Sequence, residues 1–394
     1  MADVTLPRGF SAASLTLRDL RLALISVDLP ATAWVLATEN LAAAPSVSRS
    51  KSIVDNGHLV SGVLVTVGNA NAFTKRAAQD EEALAASLAA NLASDPRAVL
   101  TAATGELGRP LPVQAIDRAL PALLARRSSD PTEFAHAILL TDSMPKLVSQ
   151  ALSLSGHKYS ITVIAKGASR IAPDLATLLV FVLTDLPLTR DALRMAVESA
   201  AATTLEQLDL EGEPSTNDAL IALSANGDDP FHPGDPETAT FTKELARLLH
   251  RIVELSARDA AQGLRFVQIT VVGASSFNDA RALALGIASS PIVRESLRQR
   301  AAGAAVASAL GACAAMIEYD LDLGAVWVSI DGLRVLEAGV LRAPPPRMRA
   351  ETVELVVAVG EGSARGEAFC AETRRRRVTR PGQVHESATM RLAQ

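Results

Sequence analysis

Thr177 lies in the stretch "KGASRIAPDLATLLVFVLTD" (166–185), where a lysine and a glycine turn lead into an apolar run. A threonine hydroxyl becomes a nucleophile when a base accepts its proton, and the α-amine of an N-terminal threonine is such a base. An internal threonine gains this amine only if the preceding peptide bond is cut. The small Ala176 leaves the Thr177 hydroxyl uncrowded for that attack. From these residues alone a core or helix-capping threonine is the stronger interpretation, with self-cleavage as its alternative.

The composition excludes several classes of protein. The chain has 394 residues, of which 48% are apolar and 3% aromatic, so a large core must be built from Ala, Leu and Val. Its net charge of -5 argues against a general nucleic-acid binder. We see neither an apolar run of about 18 residues nor a basic leader followed by an apolar segment, so we expect no membrane span, no secretory signal and a cytoplasmic location.

Metal and cofactor sites are not indicated. Cys313 and Cys370 are too few for a disulfide framework or a four-thiolate zinc site. The six histidines show no metal spacing, and no glycine loop is of the type that holds a nucleotide phosphate. We therefore expect neither a metal nor a nucleotide cofactor.

The helices and strands that must position Thr177 can be predicted from the periodicity of apolar residues and from the Pro, Gly and Asn residues that end them. The first 70 residues read as strands, and the predicted strands are 21–38, 58–68, 97–104, 136–146 (a strand and turn), 159–167, 265–274 and strand pairs around 325–339 and 351–364. The predicted helices are 76–93, 112–127, 190–204, 237–261 and 277–290. The run 177–185 fits a buried helix or a buried strand, and loops are expected at 226–238 and 342–351. Both types mix without a regular rhythm, which predicts a layered α/β fold with antiparallel or mixed sheets.

The Thr177 stretch is one of several, in order along the chain, that resemble the ornithine acetyltransferase (glutamate N-acetyltransferase) family. The others are "PRGF" (7–10), "AAAPSV" (42–47), "VTVGNANA" (65–72), "TAATGELGRPLP" (101–112), "AILLTDSMPK" (137–146), "PSTNDALIALSANG" (214–227), the block 271–297 and "GEGSARGEAFCAE" (360–372). They span nearly the whole chain, and their order makes the resemblance specific.

The resemblance implies an N-terminal-nucleophile enzyme of amino-acid metabolism. Thr177 would be exposed by autocatalytic cleavage after Ala176, giving an α chain (1–176) and a β chain (177–394). Thr104 and Gly105 would form the oxyanion hole, and Lys166 would lie in the site, holding a substrate carboxylate or tuning the nucleophile's surroundings. An acetyl group would pass from an N-acyl amino acid to Thr177 and then to an amine.

The resemblance also implies an assembly and a fold. The fold would be an α/β sandwich similar to that of N-terminal-nucleophile-like aminopeptidases, assembled as α/β heterodimers that pair into a heterotetramer. Acetyl-CoA is a donor for some members of that family, and the sequence does not decide whether this chain uses it.

Three departures fall on substrate-reading parts of the family pattern. The stretch 254–265 lacks the family's glycine-flanked glutamate, so Glu254 or Asp259 would replace it unless both are surface acids of a helix. The stretch 298–306 has small residues where the family has an Asn-Trp-Gly turn, and the C-terminus offers only Ser387 or Thr389 as substrate contacts. Arg170 replaces a methionine and joins Lys166, Thr177 and Glu254 as a candidate substrate-binding residue.

Three functions remain open: an acyltransferase of altered specificity, an amidohydrolase or aminopeptidase-like hydrolase using the same threonine, and a non-catalytic family member. We interpret Asp142, Lys146 and Asp218 first as turn residues. Asn69 and Asn71 shape either the oxyanion region or a turn. The arginine run 374–377 is either a solvated face or an anion site.

Overall fold

The computed structural model describes residues 4–168, 178–210, 215–261, 264–299, 302–314, 324–342 and 351–372. The candidates Arg170, Ala176 and Thr177 lie outside these ranges, as do Ser387, Thr389, the arginine run 374–377 and most of the expected loop at 342–351.

Helices and strands are mixed along the described chain without strict alternation. The strands are β1 (Phe10–Leu17), β2 (Leu20–Ala37), β3 (Val60–Asn69), β4 (Val99–Glu106), β5 (Lys146–Leu154), β6 (His157–Lys166), β7 (Leu179–Thr184), β8 (Ala219–Ser224), β9 (Phe266–Ala274), β10 (Trp327–Ile330), β11 (Leu333–Glu337), β12 (Val340–Leu341), β13 (Thr352–Ala358) and β14 (Ala364–Ala371). The helices are α1 (Pro45–Asp55), α2 (Ala77–Asn91), α3 (Val113–Leu124), α4 (Thr132–Ala137), α5 (Arg190–Ala202), α6 (Pro236–Ala261), α7 (Phe277–Ser289), α8 (Pro291–Gln299) and α9 (Ala302–Ala314).

The long strand β2 joins two halves of the first sheet, whose order is β4-β3-β2-β8-β7-β6-β5, with β1 also paired to β2. Strand β3 pairs with 21–26 of β2 and β8 pairs with 32–37, and the register shifts between Ser26 and Ala31. We call β1, β3, β4 and the first part of β2 the β4 half, and the remaining strands with the last part of β2 the β6 half. Parallel pairs (β3–β4, β7–β8) mix with antiparallel ones, as predicted.

The two halves stack face to face because alternate residues of their strands point to opposite sides. One buried cluster takes inward side chains from both halves, among them Ile25, Val63, Val65, Leu179, Phe181 and Ile221. The alternate residues of the β4 half pack on α2 and α3, and those of the β6 half pack on α5 and α6. The result is a four-layer α-β-β-α sandwich, so the predicted layered α/β fold class is confirmed.

A second sheet, ordered β12-β11-β10-β13-β9-β14, lies in the C-terminal part of the chain. One of its faces packs on α7, α8 and α9 through an aliphatic cluster that includes Val267, Ile269, Leu283, Val293 and Leu355. Strand β14 also contacts the core between the first sheet and its helices, because Phe369 and Ala371 belong to the buried cluster that contains residues of α5 and α6.

Four local predictions needed correction or resolution. The first 70 residues are not all strand, since Pro45 begins helix α1. The predicted strand at 136–146 is wrong: α4 ends at Ala137, a turn follows, and β5 begins only at Lys146. The ambiguous run after Thr177 is strand β7, between β6 and β8. The predicted strand pair at 351–364 is wrong as well, because β13 and β14 each pair with β9, one on each side.

Candidate active site

Gly105 lies at the end of β4, where this strand presses against β3. Its φ is +141°, and a Cβ built on it would lie 2.2 Å from the carbonyl carbon of Gly68. The β3–β4 pairing is irregular at this point, at Gly68 and Asn69. A residue with a side chain would have to push the β3 backbone away, so the conformation here requires glycine. The neighbouring Thr104 is buried and follows Leu100 and Ala102 on the face turned toward the β6 half.

The segment 68–72, which we call the 68–72 loop, comprises the last two residues of β3 and the three that follow, and Asn69 attaches it to the residues after β4. The Nδ2 of Asn69 donates to the carbonyl oxygens of Arg109 (3.1 Å) and Pro110 (3.2 Å), and its Oδ1 accepts from the amide of Asn71 (2.7 Å). Asn71 has φ +46°, the left-handed region that asparagine tolerates better than most residues. The amide of Ala70 donates to the carbonyl of Glu106 at 3.0 Å. These contacts hold the backbone around Gly105 in one geometry.

Lys166 ends β6 and is 4% exposed. It shares the inward face with Ile164, whereas Val163 and Ala165 point toward α5 and α6. Burial lowers the pKa of Lys166, and the carboxylates of Asp142 and Asp218 oppose that shift. The lysine therefore lies between the two sheet halves, with two acids near enough to affect its charge.

Asp142, Lys146 and Asp259 form a buried ionic cluster beside Lys166. The Nζ of Lys146 lies 2.6 Å from Asp142 and 2.7 Å from Asp259, and all three side chains are at most 2% exposed. Asp142 also accepts from the amide of Gly167 at 2.5 Å, directly after Lys166. Burial raises the pKa of Asp142, but Lys146 and the Gly167 amide outweigh it and the pKa lies below its ordinary value.

Asp218 holds the chain at the residue that follows Thr177. Its Oδ1 accepts from the amide of Leu178 at 2.9 Å, and its Oδ2 accepts from the amide of Ser215 at 3.0 Å. The adjacent Asn217 donates from Nδ2 to the carbonyl of Ala70 at 2.8 Å. The segment before β8 therefore links the start of β7 to the 68–72 loop, and through that loop to the end of β4.

Glu254 and Asp259, the two candidates to replace the family's glycine-flanked glutamate, lie in different environments. Glu254 pairs with Arg251 on α6 and lines a groove of about 460 Å³ between α6 and β5. Asp259 is buried rather than on the helix surface, and it accepts from both the amide and the hydroxyl of Ser143 as well as from Lys146. Of these two acids, Asp259 is the one whose contacts lead to Lys166, by way of Lys146 and Asp142.

The sequence predicts a structural role near turns for Asp142, Lys146 and Asp218, and the structure adds contacts that local sequence does not indicate. Their contacts show a buried ionic cluster and a clamp on the chain at Leu178. The sequence signal for the ionic cluster was the "TDSMPK" segment, in which an acid and a lysine stand four residues apart at the start of β5.

Within the described ranges, no helix is both long and apolar enough to cross a membrane. The same part of the chain contains no group of three or more His, Cys, Asp or Glu side chains arranged to hold a metal ion.

The model of the ArgJ family matches residues 10–378. The chain is 34% identical over 380 residues to the arginine biosynthesis bifunctional protein ArgJ of Thermus thermophilus, covering 93% of this chain and 95% of that protein. It is 32% identical over 328 residues to the protein of the same name from Bradyrhizobium diazoefficiens, covering 78% of each. A crystal structure of the Mycobacterium tuberculosis ornithine acetyltransferase complexed with ornithine is 26% identical, covers 44% of this chain and 96% of its own, and superposes with a TM-score of 0.39.

Proposed function

This chain belongs to the ArgJ family of acyltransferases, and we propose that it moves an acetyl or related acyl group from an N-acyl amino acid to a second amine through Thr177. The threonine would first be freed by cleavage after Ala176. The two curated relatives described above are named for arginine biosynthesis. An N-acyl derivative of an amino acid from that biosynthesis is therefore the donor class to test first.

One observation supports this proposal most directly: the segment before β8 links the ends of the two sheet halves and also holds Leu178, the residue after Thr177 in the sequence. The amide of Leu178, the next residue, is held by Asp218, while Asn217 is joined to the loop that abuts Gly105. Lys166 ends the strand that pairs with β7. Leu178, the strand end proposed to bind the oxyanion and the buried Lys166 are thus linked through these contacts, which supports the proposed roles of Thr177, Thr104, Gly105 and Lys166.

In the proposed reaction the α-amine of Thr177 accepts the proton of the threonine hydroxyl while Oγ attacks the acyl carbonyl. The amide of Gly105 and the hydroxyl of Thr104 donate to the oxyanion that forms. The C–N bond of the donor then breaks, its amine leaves with the proton, and the acyl group remains as an ester on Thr177. A second amine attacks this ester through a similar oxyanion and releases the threonine hydroxyl.

Lys166 would serve this reaction as the buried cation, pairing with a substrate carboxylate or favouring the neutral form of the Thr177 amine. Arg170 and Glu254 remain candidates for substrate binding. The contacts of the described residues favour Asp259 over Glu254 as the acid coupled to Lys166. Because α6 continues unbroken through 254–259, we propose that the donor or acceptor differs from that of relatives with the glycine-flanked glutamate.

The two segments that cleavage would create are interleaved in the first sheet. Strand β7 of the 177–394 segment pairs with β6 of the 1–176 segment, and β8 pairs with β2 in the same way. Backbone hydrogen bonds and the shared core would therefore hold an α/β heterodimer together after the cut. Pairing of two such heterodimers is a further proposal, to be tested by the mass of the native assembly.

The test begins with the intact mass of the denatured protein beside a Thr177→Ala variant. We expect fragments 1–176 and 177–394 from the wild type and one uncut chain from the variant. Incubation with N-acetyl amino acids should then add one acetyl group to fragment 177–394, and an added amine should remove it faster than water does. An uncut wild-type chain contradicts the mechanism, and release to water alone makes the protein a hydrolase.

A further inference from the structure

Glu81 lies inside the protein, although it belongs to a helix that also has a solvent-exposed side. Its side chain is 3% exposed and follows Ala77 and precedes Leu84 and Leu88 on the buried face of α2. The next residue, Glu82, is exposed, and its carboxylate pairs with Arg49. A carboxyl group is costly to bury unless it serves as a hydrogen-bond partner.

Asn71 in the 68–72 loop is a hydrogen-bond partner of Glu81, whose carboxyl group also lies near Thr101 and Arg49. The Nδ2 of Asn71 donates to Oε2 of Glu81 at 2.6 Å and to the carbonyl of Ala77 at 3.0 Å, so α2 holds this side chain at two points. Asn71 is also the loop residue in the left-handed region. An anchored side chain keeps the backbone in that sparsely populated conformation.

The anchoring continues from Asn71 to the end of β4. The amide of Asn71 donates to Asn69 Oδ1, and Asn69 in turn holds the segment 109–110 that follows β4. The backbone of Gly68 and Asn69 lies against Gly105 so closely that a Cβ on Gly105 would be 2.3 Å from the amide nitrogen of Asn69. Movement of the loop must therefore move the end of β4.

We propose that Glu81 is a positioning residue: acting through Asn71, it holds the 68–72 loop so that Thr104 and Gly105 keep the geometry that binds the oxyanion. This inference rests on the proposed acyl transfer through Thr177. Burial raises the pKa of Glu81, which favours the uncharged acid, and either form of the carboxyl accepts the hydrogen bond from Asn71.

The experiment compares Glu81→Ala, Glu81→Gln and the matched control Glu82→Ala for self-cleavage rate, kcat and KM. Because the oxyanion forms only in the transition state, Glu81→Ala should lower kcat by about tenfold or more and leave KM within about twofold. Both self-cleavage and acyl transfer use this oxyanion, so both should slow together. Glu81→Gln keeps an acceptor for Asn71 and should restore kcat, and Glu82→Ala should match the wild type.

A second variant covers the case in which Glu81→Ala does not fold. Asn71→Gly keeps the positive φ, leaves Glu81 in place and removes the hydrogen bond, so it should show the same loss of kcat. The inference is overturned if folded Glu81→Ala or Asn71→Gly keeps kcat within twofold of the wild type, or if Glu81→Gln is as slow as Glu81→Ala. A wild type that neither cleaves itself nor transfers acyl groups overturns the proposed function together with this inference, whereas an active wild type with unaffected variants overturns the inference alone.

Discussion

The two sheet ends that form the candidate site are held by different kinds of interaction. The β4 end is fixed by neutral groups: a glycine without room for a side chain, the amides of Asn69 and Asn71, and backbone hydrogen bonds. The β6 end is fixed by buried charges, with Lys146 between Asp142 and Asp259, and with Lys166 near Asp142 and Asp218. Asn217, just before β8, donates to the carbonyl of Ala70 and so links the β6 half to the β4 end.

This difference matches what each end is proposed to do. The groups that donate to an oxyanion must already be in position when the reaction occurs. Neutral dipoles can be held there without adding a charge that would compete for the oxyanion. A buried lysine needs acids around it to remain charged, and those acids need further hydrogen bonds of their own. The β4 end should therefore be sensitive to shape, and the β6 end to charge.

The largest expected effect is loss of the Lys146 charge at the β6 end. Lys146→Met leaves Asp142 and Asp259 buried without their shared partner, which should cost about 3–5 kcal/mol of unfolding free energy. Urea denaturation measures this, with Arg247→Met as control, since the exposed Arg247–Glu244 pair should contribute less than about 1 kcal/mol. Equal losses in the two variants would contradict the ionic description of this end.

Next in size is a change of shape at the β4 end. Gly105→Ala forces a Cβ into the backbone of Gly68 and displaces the proposed oxyanion donor, so kcat should fall by about 10²–10³. Gly108→Ala is the matched control, because Gly108 also has positive φ but its Cβ would meet nothing within 4 Å. If both variants lose activity equally, then strain in φ, and not the contact with Gly68, explains the loss.

A smaller effect is expected at Asp218, which holds the chain at Leu178 just before β7. Asp218→Asn replaces an acceptor of two amides by a group with one acceptor and one donor, which should cost about 1–3 kcal/mol. The change in unfolding free energy should exceed that of Asp228→Asn, a substitution at an exposed loop position. A difference below about 0.5 kcal/mol would show that the Asp218 clamp contributes little to stability.

The smallest effect is a pH dependence that distinguishes Glu81 from a charged group. Its pKa is raised by burial above the ordinary value of 4.5, so the folded protein keeps a proton that the unfolded chain releases. The contribution of Glu81 to stability should therefore fall as pH rises from about 4.5 through the folded-state pKa. Glu81→Gln does not titrate and should gain stability relative to the wild type over that window. A pH-independent difference between the two proteins would contradict this.

Much of the fold could be predicted from the periodicity of the apolar residues and from the Pro, Gly and Asn residues that end the helices and strands. The strands β3, β4, β6 and β9 and the helices α2, α5, α6 and α7 lie where their patterns predicted them. The failures came where local signals compete: the segment after α4 is apolar enough for a strand, yet it forms the turn that brings Asp142 to Lys146. Family membership, first inferred from ordered sequence blocks, is confirmed by the family model and by curated relatives.

The sequence by itself determined the layered α/β class, through local periodicity, and the family, through ordered motifs. The resemblance to that family then made Thr104, Gly105, Lys166 and Thr177 candidates for the site. The tertiary structure decided which half of β2 each neighbouring strand pairs with, and therefore which strand ends meet. It also showed that Asp259 is buried whereas Glu254 is not, and that Glu81 accepts a hydrogen bond from Asn71. Such contacts join residues far apart in the chain, and burial changes the charge balance of an acid or lysine in a way that its neighbours in sequence do not specify.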